Sequence, residues 1–365
     1  MTGVREKFAG ENASRDEPVT PPCGFSSTKS KTEPKPSLVM KPIIPFALLG
    51  ALFAVGAANA QSSTTPVGYV TQTLVPNQFN LVGLTVHNPV VSAGVLDAES
   101  ATSVSDTGVD FSALLTAGAT YILELSDGTI QEIAAWSGDT LTTPQDISAK
   151  VTPGTTSYKL RKASTVSDVF GATNSVGLTP TPDGNPSVAD KILIPNASNG
   201  FDTVFYFNDG LGVEGWLDGD GNLAADKVIS YPDGLFVQRV AGDPVNLVVT
   251  GEVKTTATAG VLVNGFNYLN AVAPVGLTLG TSGLQASLTA SADGNPATAD
   301  NVLLPNASGG YVTAFYFNDG QGVEGWLDSE GNLAADYDLE DGFLVLNRGA
   351  AKAFSLSVPT SYSSL

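Results

Sequence analysis

The chain has 365 residues, with 17 Lys and Arg against 36 Asp and Glu and a formal charge of −19. Seven of the basic and five of the acidic residues precede Gln61, so the remainder holds 10 basic against 31 acidic residues, a balance of −21. Such a surface repels phosphate backbones and anionic lipid, which excludes nucleic acid as a partner. The single cysteine, Cys23, lies in the N-terminal segment, leaving no disulfide framework or thiolate metal site downstream.

Residues 1–39 are polar, punctuated by proline and without apolar periodicity, and read as a disordered leader ahead of the true initiator, Met40. Residues 40–60 have the pattern of a Sec-type signal peptide. Lys41 supplies the positive charge, Ile43 to Val55 the apolar run, and Ala58-Asn59-Ala60 a small-residue cleavage site before Gln61. The run is short for a membrane span and diluted by glycine and alanine. A secreted or envelope-located bacterial protein follows, with no membrane span after cleavage.

Gly68 to Val86 reads as two β-runs broken at Pro76-Asn77, and Gly260 to Val272 is its counterpart, with Phe79-Asn80 matching Phe266-Asn267. The strongest internal signal is a repeat: Asp183 to Asp226 returns at Asp293 to Asp336, with 32 of 44 positions identical and no gap. Phe79 precedes Asp183 by 104 residues, whereas Phe266 precedes Asp293 by 27. The first copy therefore carries an insert, placed at about 90–163. The predicted organisation is β repeat 1 over 61–252, containing that inserted β module, and β repeat 2 over 253–365.

Within the insert, Tyr121–Leu125 and Thr129–Ile133 flank Ser126-Asp127-Gly128, a hairpin signal because Asp-Gly accepts positive φ. Ser157–Arg161 is a further strand, Phe111 and Trp136 are candidate core, and Thr165 or Ser167 caps one helical turn to Phe170. Each repeat then shows strands at Lys191–Ile194 and Asn301–Leu304, Thr203–Phe207 and Thr313–Phe317, and Val213–Leu217 and Val323–Leu327. Further strands are expected at Gly234–Arg239 and Gly342–Arg348, after the turn at Glu340-Asp341, and at Asn246–Val253 and Phe354–Val358. No stretch sustains a helical period. The expected fold is all-β: two tandem sandwich-like or barrel-like repeats with few short helices.

Two side-chain groups attract functional readings. Asp218, Asp220, Asn222 and Asp226, with Asp328, Glu330, Asn332 and Asp336, space oxygen ligands as hard Ca²⁺ prefers, although Leu223 stands where a calcium loop has glycine. The competing reading is a hairpin turn built from Asp, Asn and Gly. Asp183, Asn185 and Asp190, with Asp293, Asn295 and Asp300, are a second, sparser set. Tyr206 and Tyr316 are candidate glycan contacts and Trp216 and Trp326 candidate core, since ring faces attract the C–H faces of sugars. The sole histidine, His87, lacks a nucleophile motif, and no G-x-S-x-G, H-E-x-x-H or phosphate-cradling loop is present. Asn196 and Asn306 match a glycosylation sequon but, after a bacterial signal peptide, read as turns.

The signal peptide, the TPVGYV leader, the FNLVGL strand, LRKASTVSDVFG and the paired AD-x-(I/V)-L, GW and G-(L/F)-(F/L)-V units together resemble a secreted paralogous family of verrucomicrobial bacteria over nearly all of 61–359. The resemblance implies export and a β architecture, and carries over no site residue. The sequence thus points to a non-enzymatic, exported β-repeat protein of the cell surface or extracellular space. Its expected role is structural or interactive, with calcium as a candidate stabiliser and polysaccharide or envelope components as candidate partners. A carbohydrate-binding module is the alternative, and a glycan-active enzyme the third reading.

Overall fold

The computed structural model describes residues 65–339 and 342–364. The leader expected at 1–39, the signal peptide expected at 40–60 and the turn expected at Glu340-Asp341 lie outside the described residues. Among the described residues the chain forms 24 strands and two short α-helices, an all-β fold.

The first body begins with β1 (Val67–Leu74) and β2 (Gln78–Gly83) and continues, after the insert, with β11 (Ser164–Thr165), α2 (Val166–Phe170), β12 (Lys191–Pro195), β13 (Phe201–Asn208), β14 (Glu214–Asp218), β15 (Val228–Ile229), β16 (Gly234–Arg239) and β17 (Val245–Glu252). Its five-stranded antiparallel sheet has the order β14-β13-β12-β16-β2, and the β1-β17 ribbon packs across it. Strand alternation turns Val82, Ile192, Val204, Tyr206, Trp216, Leu235 and Val237 to one face. There they bury against Leu74 and Leu247 of the ribbon and against Val166 and Phe170 of α2. Each fully buried side chain of this size contributes roughly 1.5–3 kcal/mol. Thr165 caps α2 in a reciprocal capping box with Asp168.

The second body comprises β18 (Thr258–Leu262), β19 (Gly265–Asn270), β20 (Asn301–Pro305), β21 (Tyr311–Asn318), β22 (Glu324–Asp328), β23 (Gly342–Asn347) and β24 (Lys352–Leu356). Its sheet runs β22-β21-β20-β23-β19, position for position the order of the first, and the β18-β24 ribbon packs on it. Both sheets are open, so each body is a sandwich of sheet and ribbon rather than a barrel. The Phe-Asn pairs have a physical reason. Asn80 holds both backbone groups of Val75 and the Val237 carbonyl, and Asn267 does the same for Val263 and Val345. Each asparagine thereby closes the turn between ribbon and sheet.

The insert contains β3 (Val90–Val95), β4 (Ala98–Ser100), β5 (Ser103–Ser105), α1 (Phe111–Leu114), β6 (Tyr121–Leu125), β7 (Ile130–Glu132), β8 (Ala135–Ser137), β9 (Thr140–Thr142) and β10 (Ser157–Lys162). These form two four-stranded sheets, β3-β10-β6-β7 and β4-β5-β9-β8, around a core of their own that includes Leu96, Phe111, Leu123, Leu141 and Leu160. Gly128 sits at φ 91° in the hairpin turn. Phe111 is fully buried as expected, but Trp136 is only half-buried, its ring edge-on to Tyr121 at 5.5 Å. Strand ends differ from expectation where turns claim the residue: Val213 accepts from Asp209 N, so β14 starts at Glu214.

The two sandwiches meet along β2, β16, β19 and β23. A Cβ on Gly83 would lie 2.4 Å from Asn270 Oδ1 and 2.9 Å from Gly342 N, and one on Gly234 would lie 2.6 Å from the Leu269 carbonyl. Only glycine permits this approach. Tyr268 of the second body completes the seam by packing on Phe201 and Phe236 of the first, at 4.9 and 5.6 Å.

Candidate functional site

The acidic loops follow the edge strand of each sheet. In the first body, a groove of about 860 Å³ runs beside β14 and is lined by Asp202, Glu214, Asp218, Asp220, Asp226 and Lys227. Lys227 is paired with Asp202, and this pair holds the Asp202 carboxyl below its usual range. Both side chains are more than one-third exposed, so the pair adds little stability. In the second body Val312 and Tyr337 occupy the equivalent places, and the Tyr337 hydroxyl instead donates to Asp328 Oδ2 at 2.9 Å.

These loops are built as turns. Asp218 Oδ1 accepts the backbone N–H groups of Asp220 at 2.9 Å and Asn222 at 2.8 Å, and Asn222 Nδ2 donates to both carboxylate oxygens. Asp328, Glu330 and Asn332 repeat the arrangement. Hydrogen bonds from Asn332 lead the interactions that hold Asp328 down at about 2, and the Asn222 backbone does most to lower Asp218. Each asparagine thus turns its NH₂ group, not its carbonyl oxygen, toward the carboxylate, an orientation unsuited to a shared cation. Asp220, Asp226, Glu330 and Asp336 are exposed and do not converge on that carboxylate. Among the described residues no three His, Cys, Asp or Glu side chains gather as a metal group.

The second acidic set divides by role. Asp183 and Asp293 cap local turns through the N–H groups of Asn185 and Asn295, and Asn185 and Asn295 in turn cap single 3-10 turns. Asp190 and Asp300 are buried ties. Asp190 accepts from Arg239 Nε at 2.9 Å and from the N–H groups of Thr179 and Val240. Asp300 accepts from Lys352, Thr289 N and Arg348 N. Buried carboxylates satisfied in this way hold strands together.

The glycan reading of Tyr206 does not survive the register. Tyr206 pairs with Trp216 across β13 and β14, so both rings point into the core and meet edge-to-face at 5.0 Å. Tyr206 is 2% exposed, leaving no ring face for a sugar. Tyr316 repeats the pairing with Trp326 at 5.6 Å and is half-buried. The tryptophans are core, as expected, but not equivalent. Trp216 Nε1 donates to the Gly171 carbonyl at 2.8 Å, whereas Trp326 Nε1 is buried without a partner among the described residues. Among the described residues, the most exposed aromatic side chains are Tyr69, Phe79, Phe266 and Tyr311.

One constellation has no signature in the sequence. Where insert and ribbons meet, Arg161 donates to Glu124 at 2.8 Å, to Glu252 at 2.6 Å and to the Asn88 carbonyl at 2.7 Å. Tyr231 donates to the same Glu124 oxygen at 2.5 Å. The His87 ring packs on Tyr231 at 4.3 Å and donates from Nε2 to the Val272 carbonyl at 3.3 Å. Burial first, then the Arg161 guanidinium, push His87 down to about 3, so it is neutral. Burial also lowers Lys254 to about 8, its ammonium held by Thr256 and the Ala257 carbonyl. Apart from the local contacts of Lys254, the hydrogen-bonded partners in this junction are 37 to 185 residues apart in the chain, so no local pattern announces them.

Comparisons with protein families, with curated proteins and with solved structures found no match.

Proposed function

We propose that this is an exported β-repeat protein of the cell surface or extracellular space whose role is to hold a partner rather than to transform one. One observation supports this reading above the others. The same loop, after the edge strand of each sheet, lifts a leucine into solvent on a strongly acidic surface. Leu223 is 86% exposed and Leu333 82%, beside Asp220 and Glu330. One exposed leucine is ordinary; its recurrence at both matching positions of an acidic surface is what favours a contact with something outside the chain. The signal-peptide pattern at 40–60 supports a contact beyond the cytoplasm. The test is retention of the tagged full chain on isolated cell-envelope material, compared with the Leu223→Ser, Leu333→Ser double variant. Retention of the wild type and at least tenfold loss in the variant is the expected result; equal retention contradicts the role given to the loops.

Carbohydrate binding is the second reading. What favours it is the half-exposed Phe79, at 51%, set beside amide side chains in a crevice along the seam between the two bodies.

A further inference from the structure

The loop between β20 and β21 of the second body crosses the β1–β2 turn of the first and leaves a crevice of about 270 Å³. None of its 16 lining residues is charged, in a chain with 36 acidic residues. An ionic ligand entering it would lose hydration without a counter-charge. The walls present two aromatic rings, Phe79 at 51% and Tyr311 at 37% exposure.

Two amides border it, of which only Asn306 has a group free to meet a ligand. Gln72 is 8% exposed; its Nε2 donates to the Gly83 carbonyl at 2.8 Å, and its Oε1 is buried without a partner among the described residues. Asn306 Oδ1 accepts from Ser308 N at 2.9 Å and Gly310 N at 3.0 Å, which fixes the amide with its Nδ2 outward. Asn196, its counterpart in the first body, donates Nδ2 to Asp202 at 2.8 Å. With Val312 in place of Asp202, Asn306 Nδ2 has no such acceptor among the described residues. A free donor and two aromatic rings therefore coincide in this crevice and not in its counterpart lined by Asn196, Asp233 and Phe266.

The geometry points to a binding subsite for one pyranose ring of an uncharged glycan, seated against Phe79 and Tyr311. One of its hydroxyls accepts from Asn306 Nδ2, directly or through one ordered water. Sugars combine an apolar C–H face with a rim of hydroxyls, which matches apolar walls carrying a few placed polar groups. The inference rests on the reading of an exported protein, since extracellular polysaccharide is met only there.

The test titrates the full chain calorimetrically with hexaoses of glucose, mannose and xylose, with a uronate oligomer and with a proline-rich peptide. At least one neutral hexaose binds, and Phe79→Ala and Tyr311→Ala each weaken it tenfold or more without shifting the melting temperature. Asn306→Asp, which keeps the accepting oxygen and removes the NH₂ group, weakens it severalfold. Phe266→Ala, in the counterpart crevice, leaves binding unchanged. No heat from any neutral hexaose, unaltered binding by the crevice variants, or tighter binding of uronate or peptide overturns the subsite. Absence of hexaose binding with envelope retention intact would remove this subsite while leaving the interaction role standing.

Discussion

His87 offers a sharp test of the junction, because a chain with one histidine gives one imidazole signal to follow. Its folded pKa of about 3 lies below the unfolded value near 6.5. Between those values the unfolded state binds the proton and the native state does not, so stability is full above pH 6.5 and falls as pH drops toward 3. Each pH unit removes about 1.4 kcal/mol, or about 3 kcal/mol by pH 4.5. Asp233 acts in the opposite sense: burial, then Glu132, raises it to about 6, and it adds stability as pH falls from 6 toward its unfolded value of 3.8. The two groups partly cancel in wild-type protein, so the histidine is isolated by difference. His87→Gln keeps a donor for the Val272 carbonyl and removes the titration. Urea midpoints of both proteins from pH 7 to 4.5 should show the variant gaining about 3 kcal/mol on the wild type. The imidazole proton resonance of the native wild type should stay fixed over that range. An imidazole titrating near 6.5, or a wild-type-to-variant difference that does not change with pH, would refute the buried neutral assignment.

Four further outcomes follow from the geometry. Gly83→Ala, which forces a Cβ against Asn270 and Gly342, should cost about 2 kcal/mol by urea denaturation, while Gly215→Ala, with open space around it, stays within about 0.5 kcal/mol. Trp216→Phe strands the Gly171 carbonyl and should cost about 2 kcal/mol more than Trp326→Phe, which removes a donor that already lacks a partner. Arg161→Met leaves Glu124 and Glu252 without their counter-charge and should cost about 3–5 kcal/mol by the same assay. Exchanging chelator for saturating calcium should leave the melting temperature in place. A rise above about 3 °C, equivalent to about 1 kcal/mol of preferential binding, would restore the acidic loops as a calcium site.

Strand alternation, turn chemistry and the internal repeat made the all-β class and most strand positions readable without coordinates. The Asp-Gly hairpin and the Thr165 cap were legible because both are local. Tyr206 was misread for a reason alternation cannot resolve. Phe205, Tyr206 and Phe207 put rings on both faces, and only the pairing with Trp216 shows which face the ribbon covers. Phe79 and Asn80 were visible as a repeated pair, but the bracing role of Asn80 depends on Val75 and Val237 together. Glycines 83 and 234 gave no cue, since their constraint comes from the other sandwich. The Arg161 junction and the Phe79–Asn306–Tyr311 crevice join residues from distant segments, and the crevice is marked by the amide its neighbours leave unpaired rather than by any motif.

The claim that this β-repeat body works outside the cytoplasm has a direct measurement: the mass and location of the tagged protein after cell fractionation. The account predicts a chain beginning at Gln61, recovered from the envelope or the medium. A chain retaining Met1 or Met40 and confined to the cytoplasmic fraction would contradict it.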